Sequence, residues 1–288
     1  MQDSFIKAGV IGYPVKHSKS PLLHEHWITH HQKQGAYDAI EVPPEKLENM
    51  VQDLVDRGYA GFNITLPHKQ TIMHLCTDID DTARAVGAVN TVVIEDGRLY
   101  GRNTDVFGFL ENIRAAHPDF AFTGIHALVL GAGGAARAVI YGLIDAGAKQ
   151  ITITNRTRAK ADDIAASFAD LAAQHDCRLS VLDWDDRDSG DAGAAPAETD
   201  LLVNTTSLGM TGKPSLSYDV NALPSSAMVC DIVYAPLYTD LLSDARARGL
   251  RITTGIGMLL HQARPAFAAW FGVMPDVNDL LEQKILKA

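Results

Sequence analysis

Short runs of apolar and β-branched residues alternate with amphipathic stretches along the whole chain, which is typical of an α/β protein with parallel strands. In the first half the pattern predicts strands at residues 5–11, 36–42, 59–65 and 90–95, and helices at residues 21–34, 44–56, 67–75 and around 80–86. Ser20 is predicted to cap the first of these helices, with Pro21 in its first turn. Asp96 and Gly97 predict a hairpin turn that leads to a strand at residues 98–100.

A second series of alternating elements begins near residue 105. Strands are predicted at residues 125–130, 151–154, 178–182, 200–204, 228–233 and 251–254, and helices at residues 105–116, 135–146, 158–174, 257–271 and 277–286. Residues 183–199 are rich in Asp, Gly and Ala, and most of them are predicted to form a surface loop.

Composition and charge narrow the possible function classes. The 288 residues are 47% hydrophobic and 21% charged, as in an ordinary globular protein, and this length predicts one large or two ordinary domains. The 25 Lys and Arg against 35 Asp and Glu give a formal net charge of −10, which argues against nucleic acid and a membrane surface as partners. A small anionic ligand stays compatible, because it responds to local groups rather than to the total charge.

The cysteines and the N-terminus bear on compartment. Three widely spaced cysteines without a CxxC pair predict neither a disulfide framework nor a zinc site. No signal peptide is visible, and no apolar run approaches the ~18 residues that span a bilayer, so we expect a cytoplasmic protein. His26 and His30 share a helix face, but we interpret it as an exposed polar face and expect no metal.

A glycine-rich turn follows the predicted strand at residues 125–130 and precedes a predicted helix. The turn fits the G-x-G-x-x-A pattern and begins with Gly131, Ala132, Gly133, Gly134 and Ala135. Such a turn lets a pyrophosphate approach free N–H groups at a helix N-terminus, so the order of elements predicts a dinucleotide site. A merely structural βα turn is the alternative.

The residues after the next strand bear on the choice of cofactor. An NAD site usually carries Asp or Glu about 20 residues beyond the turn, whereas this chain has Asn155, Arg156, Thr157, Arg158 and Lys160. If Thr157 caps the following helix, two cations lie in its first turn, where the helix dipole opposes them. A bound 2′-phosphate would offset that repulsion and pair with the guanidinium, so we favour NADP over the alternative of a solvated basic patch.

Five further segments concentrate polar residues where strands or helices are predicted to end. They cover residues 12–21, 63–69, 87–91, 103–105 and 255–262. Taken singly, each has an ordinary structural interpretation, such as helix caps, turn residues or a solvated lysine. Together they closely resemble the shikimate dehydrogenase family, from about residue 9 to residue 277, in the family's order and approximate spacing. Residues 204–210 and 231–236 also resemble the family's cofactor-domain segments.

This resemblance implies an enzyme that reversibly reduces 3-dehydroshikimate to shikimate with NADPH, in the biosynthesis of chorismate and the aromatic amino acids. It implies Lys69 and Asp105 as the catalytic pair. The implied substrate residues are Ser18, Ser20, Asn63, Thr65, Lys69, Asn90, Asp105, Tyr234 and Gln262. The implied cofactor residues, beyond those named above, are Thr205, Ser207, Met210, Val233, Gly255 and Met258, with Met258 near the nicotinamide.

The chemistry of these residues agrees with the implied reaction. A ketone that becomes an alcohol needs a proton donor, and the ammonium of Lys69 can stabilise the developing charge and supply the proton. Asp105 can orient Lys69. Hydroxyl and amide side chains suit a small polyol acid. Val106 and Glu25 depart from the family's usual residues without removing a chemical group.

The expected architecture has two α/β domains. Residues 1–106 and 255–288 are predicted to form the substrate domain, to which the C-terminal helices return, and residues 107–254 a doubly wound, Rossmann-type NADP-binding domain. One alternative is a quinate/shikimate dehydrogenase that uses NAD or both cofactors. Another is a non-catalytic NADP-binding sensor, which the presence of both Lys69 and Asp105 disfavours. We expect a small-molecule substrate and a monomer or homodimer.

Overall fold

The computed structural model describes residues 5–189 and 195–287 of the chain. The chain divides into two compact units, of which the first comprises Met1–Gly108 with Leu260–Ala288 and the second comprises Phe109–Leu259. The chain therefore leaves the first unit and later returns to it. Both changes of unit fall inside a helix.

Strands and helices alternate along both units. The strands are β1 (Ile6–Gly12), β2 (Gly35–Glu41), β3 (Gly61–Ile64), β4 (Asp78–Ile79), β5 (Thr91–Glu95), β6 (Arg98–Arg102), β7 (His126–Leu130), β8 (Gln150–Thr154), β9 (Arg178–Leu182), β10 (Leu201–Asn204), β11 (Met228–Asp231) and β12 (Arg251–Thr253). The helices are α1 (Ser20–His30), α2 (Leu47–Asp56), α3 (Asp81–Val86), α4 (Asp105–Ala116), α5 (Gly134–Asp145), α6 (Arg158–Ser167), α7 (Ala169–Gln174), α8 (Asp240–Ala247), α9 (Ile256–Phe271) and α10 (Asp279–Lys287).

The first unit is built on a mixed sheet in the order β2-β1-β3-β5-β6-β4. β1 pairs in parallel with β2 and β3, whereas β5 is antiparallel to both β3 and β6. The predicted hairpin explains the antiparallel pairs, because Asp96 and Gly97 both take positive φ, as a tight turn with the twist of the strands requires. The carboxyl ends of β1 and β3 lie side by side, so the segments that follow them meet at one edge of the sheet.

Aromatic side chains attach the C-terminal part of α9 to this sheet. Trp270 Nε1 donates a hydrogen bond to the carbonyl oxygen of Val92 at 3.1 Å. The rings of Phe267 and Phe271 stack with centroids 4.5 Å apart, and Trp27 of α1 lies edge-on to Phe267 at 5.5 Å. Burial of these large rings explains why the C-terminal helices belong to the first unit.

The second unit is a doubly wound sheet in which every pairing is parallel. Its order is β12-β11-β10-β7-β8-β9, so the chain runs outward from β7 in one direction and from β10 in the other. All four residues of β10 and of β11 are buried, as expected for strands with helices on both faces. The topological switch point lies between the neighbouring strands β7 and β10, and sheets of this kind bind their ligands at the carboxyl ends of the strands there.

Two elements near the predicted site differ from expectation. Ser20 is the first residue of α1 rather than its cap, and Lys19 occupies the cap position. The N–H of Ser20 donates to Ser18 Oγ at 3.3 Å. Residues 67–75 were predicted as one short helix, but only Thr71–Leu75 forms a 3₁₀ helix. Here the carbonyl of Lys69 accepts from the N–H of Val89, and Met73 donates to the carbonyl of Gln70 rather than to that of Lys69.

Other differences lie in the second unit. The helix predicted at residues 158–174 is broken into α6 and α7 at Phe168, which turns to φ −106° and ψ 5° with its ring buried. Helix α8 was missed, although Thr239 caps it and Leu241 begins its buried face. Part of the predicted loop at 183–199 contains two short 3₁₀ helices, and its residues 190–194 lie outside the described residues.

Gly61 at the start of β3 tests the packing of α9 on the sheet. A Cβ atom there would overlap the carbonyl oxygen of Val92 and Nε1 of Trp270. We expect Gly61→Ala to lower the free energy of unfolding of the first unit by about 3 kcal/mol. Gly58→Ala is the control, since Gly58 has φ +70° but nothing within 4 Å of its Cβ position, and the left-handed backbone alone costs about 1 kcal/mol. Urea unfolding measures both losses, and equal losses would contradict the steric explanation.

Candidate active site

An ion pair between Lys69 and Asp105 lies at the centre of the polar groups of the first unit. The two side chains approach to 2.6 Å between Nζ and Oδ2, and they are 26% and 14% exposed. Lys69 follows β3, and Asp105 is the first residue of α4, where the positive end of the helix dipole favours a carboxylate. The pair is therefore sheltered but still reachable from solvent.

Asn90 connects this ion pair to its surroundings. Its Nδ2 donates to Asp105 Oδ1 at 2.8 Å and to Thr104 Oγ1 at 2.9 Å, and it lies 3.3 Å from Gln262 Oε1. Its Oδ1 accepts from the main-chain N–H of Thr104 at 2.8 Å. The structure thus brings together four of the residues predicted for catalysis and substrate binding: Lys69, Asn90, Asp105 and Gln262.

Backbone contacts hold the loops that carry the pair. The carbonyl of Lys69 accepts from Val89 at 2.8 Å, and His68 Nε2 lies 2.6 Å from the carbonyl of Val42, to which it donates. The N–H of Asp105 donates to Asn103 Oδ1 at 3.0 Å. Because these polar groups are mostly buried, each contact restricts where the lysine and the carboxylate can move.

Asn63 and the hydroxyl residues lie at the carboxyl ends of β1 and β3. Asn63 is 6% exposed, and its Nδ2 donates to the carbonyl of Asn90 and to Thr91 Oγ1 at 3.2 and 2.9 Å. Thr65 follows β3 and is half-buried, and its N–H donates to the carbonyl of Ile11 in β1. Ser18 is half-buried and Ser20 is buried, both just beyond β1.

A buried histidine lies behind these residues. His24 has no exposed surface, and its ring stacks on Tyr37 at a centroid distance of 4.0 Å and an angle of 2°. Within the described residues neither of its ring nitrogens makes a hydrogen bond. Burial lowers the pKa of His24 to about 3, with the Asn63 side chain opposing this shift, so the ring is neutral at pH 7.

In the second unit the glycine-rich turn has the geometry of a phosphate-binding turn. Gly131 takes φ +110°, and a Cβ there would lie 2.6 Å from Thr205 Oγ1, so only glycine fits. Gly133 precedes α5 at its cap position, and a Cβ at Gly133 or Gly134 would meet nothing within 4 Å. The N-terminus of α5 therefore faces open space into which an anionic group can approach.

A cavity of about 300 Å³, here called the turn cavity, opens beside this turn. Its described lining residues include none that is acidic. They are Gly131, Ala132, Gly133, Asn155, Arg156, Thr157, Lys160, Trp184, Thr205, Thr206, Ser207 and Leu208. Two cations on an otherwise neutral wall suit a phosphate group attached to a ribose better than a bare ribose hydroxyl.

The three predicted cations differ in their surroundings. Arg156 and Lys160 line the turn cavity, and neither has an ion-pair partner among the residues that the structure describes. Arg158 is not on the wall; its guanidinium contacts Asp183 Oδ1 at 2.6 Å and Asp162 Oδ2 at 3.7 Å. Thr157 occupies the cap position of α6 as expected, but its side chain makes no capping hydrogen bond.

A second cavity, of about 260 Å³ and here called the loop cavity, shares residues with the turn cavity. Its lining residues are Thr205, Thr206, Ser207, Met210, Ile232, Val233, Tyr234 and Ala235. Tyr234, predicted to hold substrate, thus lies in the second unit beside predicted cofactor residues, and burial raises its pKa.

A buried carboxylate ties together the two loops of the loop cavity. Asp231 is fully buried, which raises its pKa, and its carboxylate accepts from Asn204 Nδ2 at 3.0 Å, from Val233 N at 2.9 Å and from Thr239 Oγ1 at 2.7 Å. Asn204 in turn accepts from the N–H of Thr206 at 3.0 Å. These contacts order the loops after β10 and β11, at the carboxyl edge of the sheet.

Some predicted cofactor residues do not line either cavity, and some lining residues were not predicted. Gly134, Ala135, Arg158, Gly255 and Met258 are absent from both sets of lining residues. The additional lining residues are Trp184, Thr206, Leu208, Ile232 and Ala235. Trp184 was missed because it stands in an Asp-rich segment, although its position directly after a parallel strand was a usable signal.

Two findings concern metals and membranes. Across residues 5–189 and 195–287, no group of three His, Cys, Asp or Glu side chains is arranged to hold a metal ion. Over the same residues, the structure contains no helix with both the length and the apolar character needed to cross a membrane.

A doubly wound sheet with a phosphate-binding turn, together with a sheltered Lys–Asp pair, defines a dinucleotide-dependent α/β oxidoreductase. Three family models match the chain: the shikimate dehydrogenase substrate binding domain at residues 10–92, shikimate/quinate 5-dehydrogenase at 114–182, and the shikimate 5′-dehydrogenase C-terminal domain at 255–283. The chain belongs to the shikimate dehydrogenase family.

Individual relatives agree with this family. A shikimate dehydrogenase (NADP(+)) of Paramagnetospirillum magneticum is 49% identical over 280 residues, which are 97% of each chain. The Thermus thermophilus shikimate 5-dehydrogenase, solved in complex with NADP(H) and shikimate, is 34% identical with a TM-score of 0.84, covering 98% of this chain and 99% of that one. A Corynebacterium glutamicum quinate dehydrogenase in complex with NAD is 30% identical with a TM-score of 0.88, at 98% and 99% coverage.

The buried His24 predicts a pH dependence of stability. The unfolded chain binds a proton on this histidine near pH 6.5, whereas the folded chain resists it down to pH about 3. The stability that comes from keeping this ring neutral is fully present above pH 6.5 and is lost progressively as the pH falls toward 3. At pH 5 the loss is about 2 kcal/mol. Between pH 7 and pH 5, the free energy of unfolding of His24→Phe is therefore expected to fall by about 2 kcal/mol less than that of the unsubstituted chain. Urea unfolding at the two pH values measures this difference.

The matched control is His175→Phe, which changes an exposed histidine. That variant is expected to lose as much stability on acidification as the unsubstituted chain. If His24→Phe behaves in the same way as this control, His24 does not titrate as its burial implies.

Proposed function

We propose that this chain catalyses the reversible reduction of 3-dehydroshikimate to shikimate by NADPH, with Lys69 and Asp105 as the catalytic pair. The observation that carries this proposal is the 2.6 Å ion pair held in place by Asn90, in a chain of the shikimate dehydrogenase family. In this role the enzyme belongs to the shikimate pathway, which leads to the aromatic amino acids. The predicted cytoplasmic location and the predicted monomer or homodimer stay predictions.

Lys69 carries the proton in this mechanism. When bound, NADPH supplies the hydride that reduces the substrate ketone. The ammonium of Lys69 stabilises the negative charge that develops on the carbonyl oxygen and donates a proton from Nζ to that oxygen. In the reverse direction Nζ takes the proton from the substrate hydroxyl. Asp105 keeps Lys69 in place through Oδ2, while Asn90 holds the other carboxylate oxygen.

The remaining first-unit residues suit a polyhydroxylated acid. Hydroxyls of Ser18, Ser20 and Thr65 would donate to the substrate's carboxylate and hydroxyls, which needs no arginine. Gln262 would contact a substrate hydroxyl next to Asn90. Asn63 is more restricted, because both protons of its Nδ2 already have acceptors and its Oδ1 already accepts from the Tyr37 hydroxyl. A substrate hydroxyl could therefore donate only to the second lone pair of Oδ1.

The second unit fits NADP. The open N-terminus of α5 at Gly133 would take the pyrophosphate, and Arg156 with Lys160 would take the 2′-phosphate. The loop cavity, with Met210 and Val233 on its wall, would take the nicotinamide end. Arg158 would contribute only if its contact with Asp183 were shared or broken.

The quinate dehydrogenase relative keeps one alternative open, namely a broader enzyme that accepts quinate or NAD. Initial rates with shikimate and with quinate, each with NADP⁺ and with NAD⁺, distinguish the two. We expect the highest kcat/KM with shikimate and NADP⁺. A higher value with quinate and NAD⁺ would establish the alternative, and tight NADPH binding without turnover would indicate a sensor.

Removal of the proposed proton donor is the direct test of the mechanism. Lys69→Met keeps the length of the side chain but has no proton to give, so kcat is expected to fall about 10²- to 10⁴-fold. The dissociation constant of NADP⁺ should change less than twofold, because Lys69 is not part of the proposed cofactor site. Lys46→Met, at an exposed position, should retain normal kcat. A Lys69→Met enzyme with near-normal kcat would contradict the assigned role.

The choice of cofactor is tested at the turn cavity. Lys160→Ala and Arg156→Ala each remove a charge-assisted contact to the 2′-phosphate and should weaken NADP⁺ binding about 10- to 100-fold, with little change for NAD⁺. Arg158→Ala should have a smaller effect, because its guanidinium already pairs with Asp183. Lys149→Ala, which removes an exposed pair with Asp176, is the control. Equal losses for NADP⁺ and NAD⁺ would contradict the assignment.

A further inference from the structure

Tyr37 is a buried residue that the proposed mechanism does not use. It lies in β2, is 3% exposed, and its hydroxyl donates to Asn63 Oδ1 at 2.7 Å. Its ring is held flat against His24 at 4.0 Å. Burial raises its pKa well above the ordinary value, with the Ser20 hydroxyl opposing, so the phenol keeps the proton that it donates. Tyr37 thus contacts one predicted substrate residue and lies close to a second.

The hydrogen bond from Tyr37 completes the pairing of the Asn63 amide. The Nδ2 of Asn63 donates to the main-chain carbonyl of Asn90, which can only accept, and to Thr91 Oγ1. The Oδ1 of Asn63 must therefore face the other way, toward Tyr37. Without the phenol hydroxyl, a buried acceptor loses its partner, and rotation of the amide would set its oxygen against the carbonyl of Asn90.

The contacts continue from Asn63 to the ion pair. Thr91 Oγ1 accepts from Asn63 and donates to Asn90 Oδ1 at 3.1 Å. Asn90 then presents its Nδ2 to Asp105 Oδ1, and Asp105 Oδ2 accepts from Lys69. Every link has a defined donor and acceptor, and all six residues lie in the first unit.

We propose that Tyr37 is a positioning residue for the reaction, a role that rests on the proposed function. Its hydroxyl orients Asn63, and through Asn63, Thr91 and Asn90 it sets the placement of the Lys69–Asp105 pair. Tyr37 itself does not touch the reacting atoms. A chain of buried hydrogen bonds transmits orientation because each amide can satisfy its neighbours in only one of its two orientations.

Tyr37→Phe is the variant that tests this role, since it removes the hydroxyl and keeps the ring against His24. We expect kcat/KM for shikimate to fall about tenfold, while the KM for NADP⁺ changes less than twofold. Tyr218→Phe is the matched control, because Tyr218 is a buried tyrosine of the second unit whose hydroxyl has no partner within the described residues. It should leave kcat/KM unchanged.

A double variant separates positioning from general packing. If Tyr37 acts through Asn63, adding Tyr37→Phe to Asn63→Ala should change kcat/KM by less than twofold, although each single variant is impaired. Losses that multiply would overturn the proposal. So would a Tyr37→Phe enzyme equal to Tyr218→Phe, or one in which the KM for NADP⁺ rises as much as that for shikimate.

A further variant tests the same role if Tyr37→Phe fails to fold. Thr91→Val interrupts the same series of contacts at its next link and is expected to give the same selective loss with shikimate; normal kcat/KM in Thr91→Val would overturn the proposal. An unsubstituted chain that turns over neither shikimate nor quinate would overturn the proposed function and this role together. Normal turnover combined with an unimpaired Tyr37→Phe enzyme would overturn only the role of Tyr37.

Discussion

The ion pair between Lys69 and Asp105 is the interaction around which the first unit is arranged. A lysine and a carboxylate that are only partly exposed need further hydrogen bonds to hold them in place. Asn90 supplies one to Asp105, and the backbone on either side is held by contacts such as that between Val89 and the carbonyl of Lys69. At residues 67–75 only Thr71–Leu75 is helical, and the carbonyl of Lys69 is used by Val89 rather than by a helical donor.

The second unit meets a different requirement, which is to hold a large anion in a chain with a net charge of −10. The groups that we propose for this are local: the N–H groups at the start of α5 and two cations, Arg156 and Lys160, on a wall without acidic residues in its described lining. Asp231, although an acid, is buried beneath the neighbouring loops and orders them through Asn204 and Thr239. Total charge therefore indicates which partners are unsuitable, and local geometry decides what the cavity can bind.

Much of the fold and of the candidate site could be predicted from the sequence, because periodicity and short motifs are local properties. The strands of the second sheet and its glycine-rich turn were predicted within a few residues. Errors arose where a distant contact decides the local structure, as at Phe168, whose burial divides one predicted helix into two. Trp184 was overlooked for a related reason: its segment is polar, and only the pairing of β9 beside β8 brings it to the turn cavity.

The sequence by itself determined the fold class and the family, since these follow from residue order and residue chemistry. Only the tertiary structure decided how those residues pair. Arg158 and Lys160 are indistinguishable as nearby cations in the sequence, yet one is bound to Asp183 and the other faces the turn cavity. Likewise, Tyr37 is unremarkable in β2 until the parallel register of β1, β2 and β3 brings its hydroxyl to Asn63. Hydrogen bonds between residues far apart in the chain depend on distances that only the folded backbone sets.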